Sequence, residues 1–190
     1  MGEGLTTSTN RILQKRVFDG RDKNTTDIWL TPPSVLEALG SFDLDPCAAS
    51  HRPWDTAKHH YTAEDDGLSR PWIGKVWLNP PYGDALPIWL ERLVQHGDGI
   101  ALVAARTETR WFHDFVWGAA DGILFFKRRL KFYTERGQPG GAATFPSCLV
   151  AYGMKNAAKL KNVAGGILAG HYVELKNNAP EMPVQEILSA

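Results

Sequence analysis

The chain has 190 residues, of which 43% are hydrophobic and 22% are charged, a composition typical of a globular protein with a core. Its 21 Lys and Arg residues balance its 21 Asp and Glu residues, so the formal net charge is zero and any contact with nucleic acid must use a local basic patch. No apolar run has the length of a membrane span, and the first residues do not resemble a signal peptide. The sequence therefore predicts no membrane contact and a cytoplasmic location.

The first predicted elements are short. Residues 1–26 are polar and lack hydrophobic periodicity, and we interpret them as a flexible N-terminal arm. The stretch TPPSVLEALG predicts a helix with Thr31 as its cap, Pro32 in its first position and Gly40 at its end. SFDLDPCA predicts a strand that ends at Pro46, and the polar stretch after it shows no long helical pattern.

The second half of the chain alternates strands and helices. KVWLN predicts a strand, and the next helix begins at a cap formed by Asp84 and ends near His96. GIALVAA predicts a buried strand, and Thr109 caps the helix after it. GILFFK and SCLVAYG are two further strands joined by the long glycine-rich loop ERGQPGGAA, so we expect an antiparallel hairpin at the edge of the sheet.

This alternation predicts an α/β fold with a mostly parallel sheet and helices on both faces. Residues 27–153 form the predicted main domain, and residues 154–190 form a C-terminal extension that packs on it. Ligands of such sheets bind beyond the carboxyl ends of the strands. Asp45–Pro46 and Asn79–Pro80 both follow strands, so we expect them to line one crevice.

Asn79, Pro80, Pro81 and Tyr82 form the motif NPPY directly behind a buried strand. Asn79 offers an amide oxygen, and the two prolines stiffen the loop so that the Pro80 carbonyl is a second acceptor. Tyr82 adds a flat aromatic face. Two acceptors beside a ring suit a planar group with an amino substituent, such as a nucleobase or a carboxamide, and they stabilise positive charge that develops on the nitrogen.

Two basic segments also follow strand ends and are candidates for phosphate contacts. Their charged residues are Arg106, Arg110, Lys127, Arg128, Arg129 and Lys131. The thiol and imidazoles of Cys47, His51, His59 and His60 lack the regular spacing of a zinc site, so no metal is predicted.

The chain carries four motifs in a fixed order, which are LTPPSVLEAL, LDPCA, EDDGL and NPPY. Their order resembles that of S-adenosylmethionine-dependent amino methyltransferases. Together with ARTETRWFHD, RRLKF and FPSCLV, they resemble the small phage-encoded DNA N6-adenine methyltransferases over residues 27–152. The resemblance implies a Rossmann-like methyltransferase fold, reduced in the region after the first strand, and DNA as the partner in the cytoplasm of a bacterial host.

The resemblance also implies roles by position. Asn79 and the Pro80 carbonyl would hold the N6 amino group of a flipped-out adenine, Pro81 would stiffen the loop and Tyr82 would stack on the base, whose nitrogen attacks the methyl group directly. Phe145 or Phe132 would cover the other face of the base. The residues implied for the cofactor S-adenosylmethionine are Thr31, Pro32, Asp45, Pro46, Asp65 and Asp66. Thr31 and Pro32 would line its methionine side, and Asp66 or Asp65 would accept from its adenine amino group.

Other functions fit parts of the same pattern. A glutamine carboxamide in a protein, the N4 amino group of cytosine and RNA are alternative acceptors. A further alternative is an inactive nucleic-acid-binding relative, because residues 47–51 read CAASH where the general cofactor motif has glycines.

Overall fold

A computed structural model describes residues 28–175, so the predicted N-terminal arm and the end of the chain lie outside the described residues. Nine strands are found in this part of the chain: β1 Leu44–Asp45, β2 His59–His60, β3 Val76–Leu78, β4 Gly99–Ala104, β5 Gly122–Phe126, β6 Lys131–Tyr133, β7 Pro139–Ala142, β8 Ser147–Tyr152 and β9 Gly170–Glu174. Seven of them form one sheet in the order β2-β1-β3-β4-β8-β5-β9, and β6 pairs separately with β7.

The main sheet is mixed: three of its six strand pairings are parallel and three are antiparallel, so the predicted mostly parallel character is confirmed only for the part from β2 to β4. β1 pairs in parallel with β2 and β3, and β3 pairs in parallel with β4. β8 runs antiparallel to both β4 and β5, which gives β5 the direction of β4, and β9 runs antiparallel to β5.

The predicted antiparallel pairing of β5 with β8 is confirmed, but its predicted place at the edge of the sheet is wrong. β8 lies between β4 and β5, and β9 covers the other side of β5. All six residues of β8 are buried. A continuous apolar strand of this kind is stabilised by neighbours on both sides, which explains its interior position.

Helices cover both faces of the sheet, as predicted. They are α1 Pro33–Leu39, α2 Leu86–His96, α3 Arg110–Phe112 with a π-helical turn over His113–Trp117, and α4 Met154–Val163. α2 and the π-helical segment pack with Val76 and Leu78 of β3, whereas α1 and α4 pack with Trp77, the residue between them. The alternation of side chains along each strand thus separates two apolar cores.

The predicted starts of the first two helices are each displaced by one residue. α1 begins at Pro33 with Pro32 as its N-cap, and α2 begins at Leu86 with Ala85 as its N-cap, so neither Thr31 nor Asp84 caps a helix. Each helix has a proline in its first turn, which lacks one of the N–H groups that a cap would satisfy. Thr109 does occupy the N-cap of α3, although its hydroxyl donates to the Arg106 carbonyl at 2.7 Å rather than to the helix.

Two regions between the main elements are more ordered than the sequence predicts. The connection from β1 to β3 has no helix but contains β2, a two-residue strand that extends the sheet. The predicted open loop before β8 contains the hairpin of β6 and β7. Leu30 pairs with Tyr133 of β6 through hydrogen bonds of 2.8 and 2.9 Å, so the segment before α1 acts as an additional strand of this hairpin.

Candidate active site

The four motif loops meet at the carboxyl ends of β1 and β3. The Cys47 thiol donates to the Asn79 carbonyl at 3.3 Å, which joins the LDPCA and NPPY loops. A Cβ on Gly67 of the EDDGL loop would lie 1.9 Å from the Pro46 carbonyl oxygen, so these two loops are in direct backbone contact. Asn79 Nδ2 donates to the Trp29 carbonyl at 3.1 Å, two residues before the Thr-Pro motif. The loops that follow β1 and β3 therefore lie against each other, and their lining of one crevice stays a prediction.

The amide of Asn79 is held with its oxygen available. Its Nδ2 is engaged by Trp29, and no described residue donates a hydrogen bond to Oδ1. Within residues 28–175, the Pro80 carbonyl likewise accepts no hydrogen bond. Pro81, which follows it, has no N–H that could turn back onto either acceptor. The loop thus presents two free acceptors behind β3.

A pocket of about 740 Å³ opens beside this loop. Tyr82, which is 43% exposed, contributes one aromatic side chain to it. Trp29 and Phe145 are similarly exposed, at 41% and 48%, and also line it. The Arg106 guanidinium lies 5.6 Å from the centre of the Phe145 ring, which places a cation at the rim. Arg106 also pairs with Glu108 at 3.5 Å, and Asp84 lines the pocket as well, so the pocket combines flat apolar surfaces with charged groups of both signs.

Asp45 is buried beneath the Pro46 loop. Its Oδ1 accepts from the Cys47 N–H at 3.1 Å, and its Oδ2 accepts from the Thr56 hydroxyl. Burial raises the pKa of Asp45 to about 6, although both hydrogen bonds and nearby Arg52 favour the charged form. Both carboxylate oxygens are therefore engaged within the protein, and Asp45 shapes the loop.

Two predicted cofactor residues have buried oxygens without a partner. Thr31 is buried next to buried Pro32, and its hydroxyl makes no hydrogen bond within residues 28–175. Asp66 Oδ1 is also buried and unpaired in this part of the chain, and Asp66 has a positive φ of 52°. Native structures rarely leave such atoms unpaired, so both oxygens are candidate ligand contacts.

Asp65 differs from Asp66 because its own loop already uses it. Its Oδ2 accepts from the Thr62 N–H at 2.8 Å and from the Thr62 hydroxyl at 2.9 Å. These bonds lower the pKa of Asp65. The structure thus separates the two acids that the sequence leaves equivalent.

The predicted basic residues divide into four groups. Arg106 lines the pocket, whereas Arg110 points outward with a side chain that is 94% exposed and pairs with Asp114 at 3.3 Å. Arg129 donates to the carbonyls of Ala143 and Thr144, so it holds the loop before β8. The remaining three residues are exposed after β5, namely Lys127, Arg128 and Lys131.

The sequence assigns no individual role to three residues that line the pocket, although two of them lie in the stretches ARTETRWFHD and FPSCLV. Trp29 precedes the Thr-Pro motif, Trp111 lies in α3 and Ser147 begins β8. Their proximity depends on the pairing of Leu30 with Tyr133 and of Ala104 with Ser147, which no local motif reveals. In residues 28–175, no three His, Cys, Asp or Glu side chains are close enough to hold a metal ion. None of the described helices is long and apolar enough to cross a membrane.

Comparison with known proteins identifies the family to which the chain belongs. The chain is 30% identical over 141 residues to a DNA N-6-adenine-methyltransferase of Haemophilus phage HP1 (strain HP1c1), an alignment that covers 68% of this chain and 80% of the phage protein. No solved structure matches the chain. The model of the DNA N-6-adenine-methyltransferase (Dam) family matches residues 20–163. The chain therefore belongs to the DNA N-6-adenine-methyltransferase family, and it is an adenine-specific DNA methyltransferase.

Proposed function

We propose that this enzyme takes its methyl group from S-adenosylmethionine and transfers it to the N6 nitrogen of an adenine that has flipped out of DNA. The observation that carries the proposal is the pair of free acceptors at Asn79 and Pro80 beside the pocket that contains Tyr82. A base in a stacked duplex cannot reach a site of this kind, so the target nucleotide must leave the helix.

Asn79 and Pro80 would hold the two amino hydrogens of the adenine. Two acceptors directed at these hydrogens favour a pyramidal nitrogen, whose lone pair is then free for attack. They also stabilise the positive charge that develops on N6 as the new bond forms, and the surplus proton leaves afterwards. The bond from Asn79 Nδ2 to the Trp29 carbonyl keeps the amide oxygen oriented throughout.

Tyr82 would stack on the flipped base. Flipping costs a few kcal/mol, and stacking of a base on an aromatic ring is worth about 1–3 kcal/mol, so one such contact offsets much of the cost. Phe145 is the better candidate for the opposite face, because it is exposed in the pocket whereas Phe132 is buried.

When bound, S-adenosylmethionine supplies an electrophilic methyl group on sulfur. The unpaired oxygens of Thr31 and Asp66 fit such a ligand, with Asp66 as the acceptor for its adenine amino group and Thr31 and Pro32 beside its methionine portion. Asp45 and Pro46 shape the wall between these positions. Asp65 is not assigned a ligand contact, since Thr62 already occupies its carboxylate.

The strand order supports a Rossmann-like methyltransferase fold, reduced after the first strand. The order places the motif loops at the carboxyl ends of adjacent parallel strands, β1 and β3, where ligands of α/β sheets bind. The reduction is limited, since β2 is present but is only two residues long. We assign residues 27–153 to the methyltransferase domain and residues 154–190 to an extension, from which β9 joins the same sheet.

DNA would approach over the rim of the pocket. Arg106, Lys127, Arg128 and Lys131 are exposed cations that follow the carboxyl ends of β4 and β5, and Arg110 lies at the start of α3. We assign them phosphate contacts, whereas Arg129 acts by holding the loop that carries Phe145. The phage relative supports action in the cytoplasm of a bacterial host.

The test supplies labelled S-adenosylmethionine with DNA, RNA or protein and then identifies the methylated nucleoside or amino acid. We expect N6-methyladenine from DNA alone. The variant Asn79→Ala should reduce transfer by at least a hundredfold, with cofactor affinity in calorimetry within about twofold of the original, in line with the loss of one electrostatic contact in a transition state. Asn162→Ala, an exposed change on α4, serves as the matched control.

Three results would contradict the proposal. Wild-type protein that binds no S-adenosylmethionine would support the inactive alternative. Label in glutamine or in RNA would identify a different acceptor. A large loss of cofactor affinity in Asn79→Ala would place Asn79 in the cofactor site instead of the substrate site.

A further inference from the structure

Ser147 has an unusual environment for a serine. It is the first residue of β8, directly opposite Ala104 at the end of β4, and only 4% of it is exposed. It nevertheless lines the 740 Å³ pocket together with Phe132 and Trp29. The pocket therefore reaches down to a polar side chain that is almost completely enclosed.

The Ser147 hydroxyl makes no hydrogen bond with any residue in the range 28–175. Ala104, its partner across the strand pair, has only a methyl side chain. The Ser147 oxygen is not among the fully enclosed side-chain atoms that lack a partner, so it keeps access to the pocket that Ser147 lines. A ligand that fills this pocket and pairs with the hydroxyl replaces the hydrogen bond that water can make there, whereas a ligand that leaves it unpaired binds less well.

The backbone around Ser147 is held in place, so its Cβ has a defined position in the wall of the pocket. The neighbouring Pro146 carbonyl accepts from the Ala105 N–H at 2.8 Å, and β8 continues with six register pairs to β4. Arg129 further holds the loop that enters β8, through the carbonyls of Ala143 and Thr144. The strand pairing and Arg129 therefore define where the Ser147 hydroxyl can meet a ligand.

We propose that Ser147 contacts the substrate and donates a hydrogen bond from its hydroxyl to a ring nitrogen of the flipped adenine. This inference rests on the proposed function, in which Asn79 and the Pro80 carbonyl already take both amino hydrogens. What remains on the adenine edge are ring nitrogens, which are acceptors. A hydroxyl donor complements them, and the same donor would be left unpaired by a ring that presents carbon or N–H at that position.

The experiment is a double-mutant cycle between the protein and the base. The methylated sites are first mapped in genomic DNA, and oligonucleotides with that site then carry adenine, 1-deazaadenine, 3-deazaadenine or 7-deazaadenine at the target position. Each analogue replaces one acceptor nitrogen by C–H. The ratio kcat/KM is measured for each oligonucleotide with wild-type enzyme and with Ser147→Ala.

We expect Ser147→Ala to lower kcat/KM on adenine about five- to tenfold, the effect of one hydrogen bond. One of the three analogues should lower kcat/KM of the wild type by a similar factor and should cause no further loss in Ser147→Ala. The melting temperature of Ser147→Ala should not fall, because the hydroxyl has no partner to lose. Ser41→Ala, an exposed serine outside the pocket, should match the wild type on all four oligonucleotides.

Two outcomes would overturn the proposal. One is that none of the analogues lowers kcat/KM of the wild-type enzyme. This measurement does not depend on whether the Ser147→Ala variant folds. The other is that the losses from Ser147→Ala and from every analogue multiply, which would mean that the hydroxyl holds water or nothing. Both outcomes are measured with an enzyme that methylates unmodified DNA, so they would contradict only the role of Ser147. If unmodified DNA gained no N6-methyladenine, the proposed function itself would be contradicted.

Discussion

Asp65 and Asp66 are adjacent acids with opposite surroundings, and this difference gives a paired prediction. Asp66→Asn should weaken binding of S-adenosylmethionine about tenfold or more, because a hydrogen bond to a charged acceptor is worth about 1.5–3 kcal/mol. Asp65→Ala removes two bonds to Thr62, so it should lower the melting temperature while the affinity of the folded protein stays within about threefold. Calorimetry and thermal denaturation measure the two effects. The reverse pattern would assign the ligand contact to Asp65.

Because the pKa of Asp45 is raised in the folded protein, we expect the stability of the protein to depend on pH. Its pKa in the folded state is about 6, above its value of about 4 in an unfolded chain, so between these pH values the folded state binds the extra proton. The free energy of unfolding should therefore fall as pH rises from about 4 to about 6, by about 2–3 kcal/mol from this one group. Urea denaturation across this range measures it.

Asp45→Asn is the matched control for this titration. An amide at this position still accepts from the Cys47 N–H and still contacts the Thr56 hydroxyl, but it carries no charge. The difference in unfolding free energy between wild type and variant isolates Asp45 from all other groups. A difference that stays constant between pH 4 and pH 6 would show that water or Arg52 compensates the buried charge more fully than this geometry indicates.

At the level of elements, the β6–β7 hairpin packs against Trp29, whose carbonyl holds the Asn79 amide that we propose as catalytic, and two adjacent glycines of β7 test this support. A Cβ on Gly140 would lie 2.6 Å from the Trp29 ring and 2.9 Å from the Phe132 carbonyl, whereas a Cβ on Gly141 would meet nothing within 4 Å. Gly140→Ala should therefore destabilise the protein by about 1–3 kcal/mol and lower kcat, because Trp29 carries the carbonyl that orients Asn79.

Gly141→Ala is the comparison for this prediction, since it makes the same chemical change one residue away. It should leave the melting temperature unchanged. Equal stability of the two variants would mean that the Trp29 ring moves aside without cost. Unchanged kcat in Gly140→Ala, despite lower stability, would separate the hairpin from catalysis.

The elements that the sequence predicts well are those with a local pattern. Gly40 and Gly97 end α1 and α2 as C-cap residues, and β4 and β8 are continuous apolar runs. The position of β8 between β4 and β5 could not be predicted, because strand order depends on pairing between distant segments. The β6–β7 hairpin was missed for a similar reason: its strands are short, and Leu30 supplies a third partner from a hundred residues away in sequence.

For the molecule as a whole, the parts of the candidate site that are local sequence motifs could be predicted. The parts that strand pairing brings together from distant segments could not. NPPY, LDPCA and EDDGL are read directly from the sequence, and the contacts of Cys47 and Gly67 confirm that their loops meet. Trp29 and Ser147 belong to the same pocket only because β-pairing brings them there. The distinction between Asp65 and Asp66 likewise depends on side-chain contacts that spacing does not reveal.

Binding of DNA by a chain with zero net charge must come from a local surface, and its salt dependence tests which residues form that surface. Each phosphate contact adds about −0.9 to the slope of the logarithm of the binding constant against the logarithm of the salt concentration. Arg106→Gln, Lys127→Gln, Arg128→Gln and Lys131→Gln should each make the slope shallower by about 1, as measured by fluorescence anisotropy with labelled duplex DNA.

Lys155→Gln is the matched control for these variants. Lys155 is also exposed, but it follows the end of β8. There Tyr152 pairs with Gly99 at the start of β4, so Lys155 lies at the opposite end of the strands from the pocket. Its removal subtracts the same charge from the whole molecule, and we expect the slope to stay at the wild-type value. If all five variants shift the slope equally, the DNA responds to total charge and not to a defined surface, and the assigned phosphate contacts are wrong.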